Sequence, residues 1–215
     1  MKSLPLIFCG IFFTLAFSWA GLILASLLQW GDLEPHQPED SGLAFPQEIS
    51  GLAQQGKEIY IREGCMYCHS QQVRLQGFGL DFERNWGPRN TVARDYILQE
   101  RVLLGTMRTG PDLKHIGARI PGADWHYLHL WDPQIPDTHQ NSIMPPFPNL
   151  FTIREIEERP HPKAIKLPTE VRGEPYLNRP PPGFEVIPTK EGEALVAYLL
   201  SLRLTYELPE ATLGE

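Results

Sequence analysis

Cysteine is scarce in this sequence, and so is positive charge. The 215-residue chain has three cysteines, Cys9, Cys65 and Cys68, and an odd number argues against a framework of disulfides. The net charge is -7 and no basic run is present, so a nucleic-acid-binding function is not expected. The sequence also lacks a nucleophile–base motif, a phosphate-binding glycine loop and a second cysteine pair. It therefore predicts no catalytic centre of its own.

Charge is absent from a long segment near the N-terminus. The 25 residues from Leu4 to Leu28 are uncharged and mostly apolar, and as a helix they would reach roughly 37 Å, enough to cross a hydrocarbon core of about 30 Å. A cleaved signal peptide has a shorter apolar core and an A-x-A-like end, whereas the nearest small-residue site, around Ala20, lies mid-run. Bulky Phe8 before Cys9 argues against a lipoprotein. We therefore predict a transmembrane anchor over residues 1–30.

The charges that flank this segment predict its orientation. One lysine, Lys2, precedes the segment, and four acidic residues follow it: Asp32, Glu34, Glu39 and Asp40. The positive-inside rule then places the N-terminus in the cytoplasm and the chain after Trp30 on the periplasmic or extracytoplasmic side. We expect a single-pass protein of the cytoplasmic membrane, with residues 31–49, which are acidic and rich in proline, as a linker.

Helical patterns recur in the remainder, which we predict to be one domain over residues 50–215. Helices are predicted from Ser50 toward the cysteine pair, over 94–105, over 124–132 and over 190–204. Eight prolines between residues 159 and 189 exclude a regular helix there and predict an extended loop. No strand-rich region stands out. The expected fold is mostly α, with long Pro-rich loops.

The most specific motif is Cys65-Met66-Tyr67-Cys68-His69. Two cysteines separated by two residues and followed by histidine form the attachment signature of c-type haem. The two thiols add to the vinyl groups of one porphyrin, and the adjoining histidine supplies the proximal ligand of the iron. A zinc site would need further ligands, and a redox-active dithiol is expected within a βαβ pattern that the sequence lacks. We therefore predict one covalently bound haem c, held by Cys65, Cys68 and His69.

The second axial ligand is predicted to be Met144. Met1 lies across the membrane, Met66 lies inside the attachment motif, and Met107 precedes a segment that the resemblance described below assigns to the proximal side. The two prolines that follow Met144 stiffen the backbone, as a ligand loop requires. An open site is one alternative, and a second histidine is another: His115, His126, His129 or His139. Methionine–histidine ligation raises the reduction potential and leaves no position for a substrate, so electron transfer rather than catalysis is expected.

Three strings resemble the class I cytochrome c fold. They are Gly56-Lys57-x-x-Tyr60 before the attachment motif, Leu195–Leu199 in the last helix, and Arg108–Leu113, with the sequence RTGPDL. The resemblance implies that the first and last helices cross near a small glycine contact. It also implies that the carbonyl of Pro111 accepts the ring N–H of His69, which fixes the ring. Arg119, eight positions after that proline, would pair with a haem propionate or, alternatively, be a solvated surface charge; Trp125 is a further candidate for a propionate contact.

An ordered set of motifs resembles the mono-haem subunit II of cbb3-type cytochrome c oxidases. After the N-terminal anchor, EGCMYCHSQQVR, RTGPDL, IGAR, DWHYLHL and SIMPPF follow in that order, so the resemblance covers about residues 1–150 and the last helix. It implies electron transfer to a catalytic haem–copper subunit, usually with a further, di-haem cytochrome c subunit; a soluble electron donor also fits. The Pro-rich segment 159–189 does not align, and one role for it is to clasp a neighbouring subunit. The alternatives are the anchored cytochrome subunit of a nitric oxide reductase and a free-standing electron shuttle.

Overall fold

The computed structural model describes residues 3–38, 41–135 and 141–213. Its chain divides into two units, each described separately below. The first comprises Met1–Gln47, Val92–Glu100 and Leu208–Glu210. The second comprises Glu48–Thr91, Arg101–Glu207 and Ala211–Glu215. The division into anchor, linker and domain at residues 30 and 49 stays a prediction.

The N-terminal segment forms an apolar helix of 27 residues with a wider turn in the middle. It consists of α1 (Leu4–Trp19), a π-helical turn (Ala20–Leu24) and α2 (Ala25–Trp30). The hydroxyls of Thr14 and Ser26 donate to backbone carbonyls four residues earlier, so neither needs water as a partner in lipid. The length and composition of this helix fit a single-pass membrane anchor, as the sequence predicts.

The helix predicted over 94–105 is wrong. Only Ala93–Tyr96 winds into a short 3-10 turn, in which the carboxylate of Asp95 turns back to accept the N–H of Val92 at 2.9 Å. Further along, the carbonyl of Leu104 accepts the N–H of Gln71 at 3.1 Å instead of an N–H from its own segment. The backbone at Leu104 is therefore held by a partner distant in sequence, which periodicity does not detect.

Two helices form the centre of the second unit: α3 (Gly51–Arg62) and α6 (Lys190–Ser201). Each begins at a side-chain cap, because the Ser50 hydroxyl accepts the N–H of Ala53 and the Thr189 hydroxyl accepts the N–H of Gly192, both at 3.2 Å. The helices predicted from Ser50 and over 190–204 are thus confirmed, although α6 ends three residues earlier than predicted.

The two helices cross at Gly56, the glycine contact that the resemblance implies. A Cβ atom at Gly56 would lie 1.9 Å from the carbonyl oxygen of Ala194, so only glycine permits this approach. One turn later the rings of Tyr60 and Tyr198 meet edge to face, with centroids 5.4 Å apart. The crossing therefore brings the segment before the cysteine pair against the C-terminal helix.

Smaller elements complete the second unit. The helices are α4 (Ile116–Arg119) and α5 (Ala123–Trp131), and the second of them confirms the helix predicted over 124–132. Two antiparallel pairs join β1 (Phe151–Glu155) to β4 (Phe184–Pro188) and β2 (Glu170–Val171) to β3 (Glu174–Pro175). The Pro-rich segment 159–189 is thus extended, but it contains three short strands. The fold is mostly helical with few strands, as predicted.

Candidate haem-binding site

A cavity of about 560 Å³ lies in the second unit, within the range of roughly 300–1,000 Å³ that is usual for ligand pockets. All six residues that the sequence singles out line it: Cys65, Cys68, His69, Pro111, Arg119 and Met144. Much of the remaining lining is apolar and includes Leu113, Ile116, Phe147, Leu195 and Leu199. The fold therefore brings together the six predicted residues, which lie up to 79 positions apart in the sequence.

The attachment motif enters the cavity wall from the end of α3. Gly64 adopts a left-handed conformation with φ of 76°, and a 3-10 turn follows over Cys65–Tyr67. Neither of the two cysteines forms a disulfide. Burial raises the pKa of Cys65 to about 12, so this thiol is protonated at neutral pH. A reactive dithiol depends on a lowered cysteine pKa, and the environment of Cys65 acts in the opposite direction.

The ring of His69 is oriented by the loop that contains Pro111. The Nδ1 atom of His69 lies 2.7 Å from the carbonyl oxygen of Pro111. Because a carbonyl can only accept, Nδ1 carries the proton and Nε2 keeps its lone pair. Burial lowers the pKa of His69, which favours this neutral form. A Cβ atom at Gly110 would lie 2.3 Å from the ring, so glycine lets the loop approach the histidine closely.

A buried carboxylate joins the two segments that carry His69 and Pro111. Asp112 is 0% exposed and accepts the hydroxyl of Ser70 at 2.5 Å and the N–H of Gln72 at 2.7 Å. The same side chain accepts the N–H of Lys114 at 2.8 Å. The sequence reasoning did not assign a role to Asp112, although it lies within the RTGPDL string. Its hydrogen bonds hold the residue after the histidine beside the residue after the proline.

Arg119 also borders the cavity. One of its guanidinium nitrogens donates to the carbonyl of Asp112 at 3.4 Å. Burial lowers the pKa of Arg119, which remains cationic because an arginine titrates far above neutral pH. Trp125, the further candidate, also lines the cavity, and its indole stacks on His129 with ring centroids 4.7 Å apart.

An ion-pair cluster supports the cavity wall at Trp86, a lining residue that the sequence reasoning missed. Asp81 is 1% exposed and binds Arg74 at 2.8 Å and Arg108 at 2.6 Å. The guanidinium of Arg108 lies over the Trp86 ring, 5.3 Å from its centroid. The sequence gives little indication of this cluster, because Arg74, Asp81 and Arg108 are spread over 34 positions and follow no periodic pattern.

We expect Asp81→Asn to destabilise the protein at neutral pH and much less near pH 2. Burial alone would raise the pKa of Asp81, but hydrogen bonds from Arg74 and Arg108 outweigh it and lower the pKa from 3.8 to about 2. A carboxylate whose pKa is lowered by folding stabilises the fold when the pH is above its pKa in the unfolded chain. That stabilisation is lost as the pH falls through its pKa in the folded protein. The difference from wild type, measured by urea unfolding, should be about 2 kcal/mol at neutral pH. A difference independent of pH would contradict the ion-pair explanation.

Met144 lies half-buried in the loop over residues 141–147 and packs against the core of the second unit. Its backbone N–H donates to the Ser142 hydroxyl at 3.2 Å. Among the alternative ligands, Nδ1 of His115 accepts the N–H of Leu204, and Nε2 of His126 contacts the carbonyl of Ile120. His129 lines the cavity, and His139 lies outside the described residues.

The residues around this cavity fit a haem. A largely apolar space is bordered by two thiols, a neutral imidazole with its Nε2 lone pair retained, and a thioether. Over residues 3–38, 41–135 and 141–213, no group of three or more histidine, cysteine, aspartate or glutamate side chains is placed to hold a metal ion. The donor set is that of a haem iron rather than a structural metal.

Comparison with known proteins agrees with this chemistry. Residues 43–180 match the model of the family described as cytochrome c oxidase, mono-heme subunit/FixO. A comparison with curated proteins gave no significant match. The matched range covers more than half of the 215 residues and includes the attachment motif, the Pro111 loop and Met144. The chain therefore belongs to the FixO family of mono-haem cytochrome c oxidase subunits.

Proposed function

We propose that this chain carries one covalently attached haem c and passes single electrons toward the catalytic haem–copper subunit of a cbb3-like oxidase. The observation that carries the proposal is the 2.7 Å hydrogen bond between His69 and the carbonyl of Pro111. It presents the second ring nitrogen of His69 as a ligand in a cavity that both thiols and Met144 also line. Bound haem supplies one-electron redox chemistry.

Different residues of the cavity would contact different parts of the proposed haem. Cys65 and Cys68 would hold it covalently, and His69 and Met144 would supply the ligands of its iron. The Pro111 carbonyl fixes the ring orientation and raises the basicity of His69 as a ligand. Arg119 offers a partly desolvated positive charge to a propionate. The apolar lining excludes water, which favours a raised reduction potential together with the methionine ligand.

The membrane arrangement follows from the anchor and its flanking charges. We place the N-terminus in the cytoplasm and the haem domain on the periplasmic side, where haem is attached to c-type proteins. The family consists of cytochrome c oxidase subunits, which supports a catalytic partner subunit. A further cytochrome c subunit or a soluble donor would supply the electrons.

The decisive experiment is purification of the tagged full-length chain in mild detergent, with haem spectra and metal analysis of what accompanies it. We expect haem staining of this chain on a denaturing gel, b-type haem and copper in the complex, and oxygen consumption. Non-haem iron without copper would instead indicate a nitric oxide reductase. A lone c-type spectrum without a large partner would indicate a free-standing electron shuttle. Loss of haem from the denatured chain would contradict covalent attachment.

A further inference from the structure

Part of the Pro-rich segment packs onto its own domain. Residues 163–178, here called the strap, contribute four side chains that pack against the core of the second unit: Ile165, Leu167, Val171 and Tyr176. The N–H of Ile165 donates to the carbonyl of Val186 in β4 at 2.9 Å. The strap thus has defined contacts within this chain, and they lie close to the end of α5.

Two hydrogen bonds join the strap to the C-terminal end of α5. The Tyr176 hydroxyl donates to Oδ2 of Asp132 at 3.0 Å. The indole N–H of Trp131 donates to the carbonyl of Asn178 at 3.3 Å. Burial and the neighbouring Asp132 raise the pKa of Tyr176, so its hydroxyl remains a donor across the physiological range.

The same end of α5 holds the loop that carries Met144. The second carboxylate oxygen of Asp132 accepts the N–H of Gln134 at 3.0 Å, and the Gln134 side chain donates to the carbonyl of Ser142 at 3.3 Å. At the other end of the loop, the N–H of Phe147 donates to the carbonyl of Leu130 at 2.9 Å. Contacts on both sides of Met144 therefore lead back to the last turn of α5.

The composition of the loop explains why it needs such support. Of the five residues from 144 to 148, three are prolines, so only Met144 and Phe147 have a backbone N–H. The Met144 N–H is already bonded to Ser142 within the loop, which leaves Phe147 as the donor to α5. A loop with so few donors depends on the element against which it lies.

We propose that the strap positions the Met144 loop, with Tyr176 and Asp132 as positioning residues for the axial methionine. This inference rests on the proposed role of Met144 as an iron ligand. Releasing Asp132 from the strap loosens the end of α5, and the loop then leaves the iron more often. The strap therefore acts on the haem through this chain itself, in contrast to the role of clasping a neighbouring subunit.

The test uses the full-length, haem-loaded chain in detergent, purified without other subunits so that no other haem binds carbon monoxide. We compare wild type with Tyr176→Phe, Asp132→Asn, the double variant and Met144→Ala. The readouts are carbon monoxide binding to the reduced haem, the methionine-to-iron charge-transfer absorption of the oxidised haem, and the thermal midpoint. Leu177→Ala is the control, because that neighbouring strap side chain is 90% exposed.

We expect Tyr176→Phe to increase the carbon monoxide binding rate roughly fivefold, a change that corresponds to the loss of one hydrogen bond. The charge-transfer band should weaken as well. Asp132→Asn should act at least as strongly, because Asp132 also accepts the N–H of Gln134, and the double variant should add little to Asp132→Asn alone. Leu177→Ala should behave as wild type. If Met144→Ala binds carbon monoxide but Tyr176→Phe differs from wild type only in its thermal midpoint, the strap proposal is overturned. The assignment of Met144 as the ligand then stands. If Met144→Ala does not bind carbon monoxide, the assignment of Met144 as the ligand is wrong, and the strap proposal fails with it.

Discussion

Met144→Ala is expected to lower the reduction potential of the haem by roughly 0.1–0.3 V, part of the range of about 0.8 V over which axial ligands set haem potentials. A thioether ligand favours the reduced iron, and alanine offers no donor in its place. The change also opens a coordination position, so the reduced haem should bind carbon monoxide. Potentiometric titration and carbon monoxide difference spectra of the full-length chain measure the two effects.

His129→Ala is the matched control for this experiment. His129 lines the same cavity and stacks on Trp125, so its loss perturbs the lining to a comparable degree. If Met144 is the ligand, His129→Ala should leave carbon monoxide binding absent and shift the potential much less. The reverse pattern, with carbon monoxide binding only in the histidine variant, would assign the sixth position to His129.

Gly56→Ala should destabilise the haem domain by about 3–5 kcal/mol, at the upper end of single-substitution effects. The added Cβ would lie 1.9 Å from the Ala194 carbonyl oxygen and 2.7 Å from the Tyr198 Cβ. Both neighbours belong to α6, so neither moves unless the two helices separate. Separation also disturbs the pocket, because Leu195 and Leu199 of α6 line it. Urea unfolding of the detergent-solubilised chain, followed by haem absorbance and circular dichroism, measures the loss.

Gly51→Ala provides the control at the start of the same helix. A Cβ atom at Gly51 meets nothing within 4 Å, so the change should alter stability by no more than about 1 kcal/mol. Comparable losses in the two variants would mean that the effect of Gly56 arises from helix propensity rather than from the crossing.

Some helix boundaries were predictable because they are local. Ser50 and Thr189 accept N–H groups three residues away, and such caps are visible in the sequence. The stretch over 94–105 shows where this approach fails. Its apolar residues resemble a helical pattern, but the Leu104 carbonyl bonds to Gln71, 33 positions earlier. No local signal reports that pairing, and tertiary contacts override helix propensity.

In the candidate site, too, some residues could be predicted from local sequence and others could not. His69 was predicted from its position after the cysteine pair and Met144 by elimination, and both line the cavity, whereas Asp112 and Trp86 were not assigned. Asp112 contributes to the site by accepting hydrogen bonds from Ser70 and Gln72, which lie about 40 positions earlier. A buried carboxylate and a surface carboxylate look the same in the sequence, because burial depends on what packs around the residue.

By itself, the sequence determined the long apolar helix near the N-terminus, the Cys-x-x-Cys-His motif and the mostly helical character of the chain. Each depends on chemistry within one short stretch: uncharged length, thiol spacing or periodicity. The resemblance already implied that the Pro111 carbonyl meets His69 and that the first and last helices cross at a glycine, and the tertiary structure gave both contacts their geometry. Only the tertiary structure decided that the strap reaches the end of α5. Those contacts join residues at least 42 positions apart, and their geometry results from packing the whole domain.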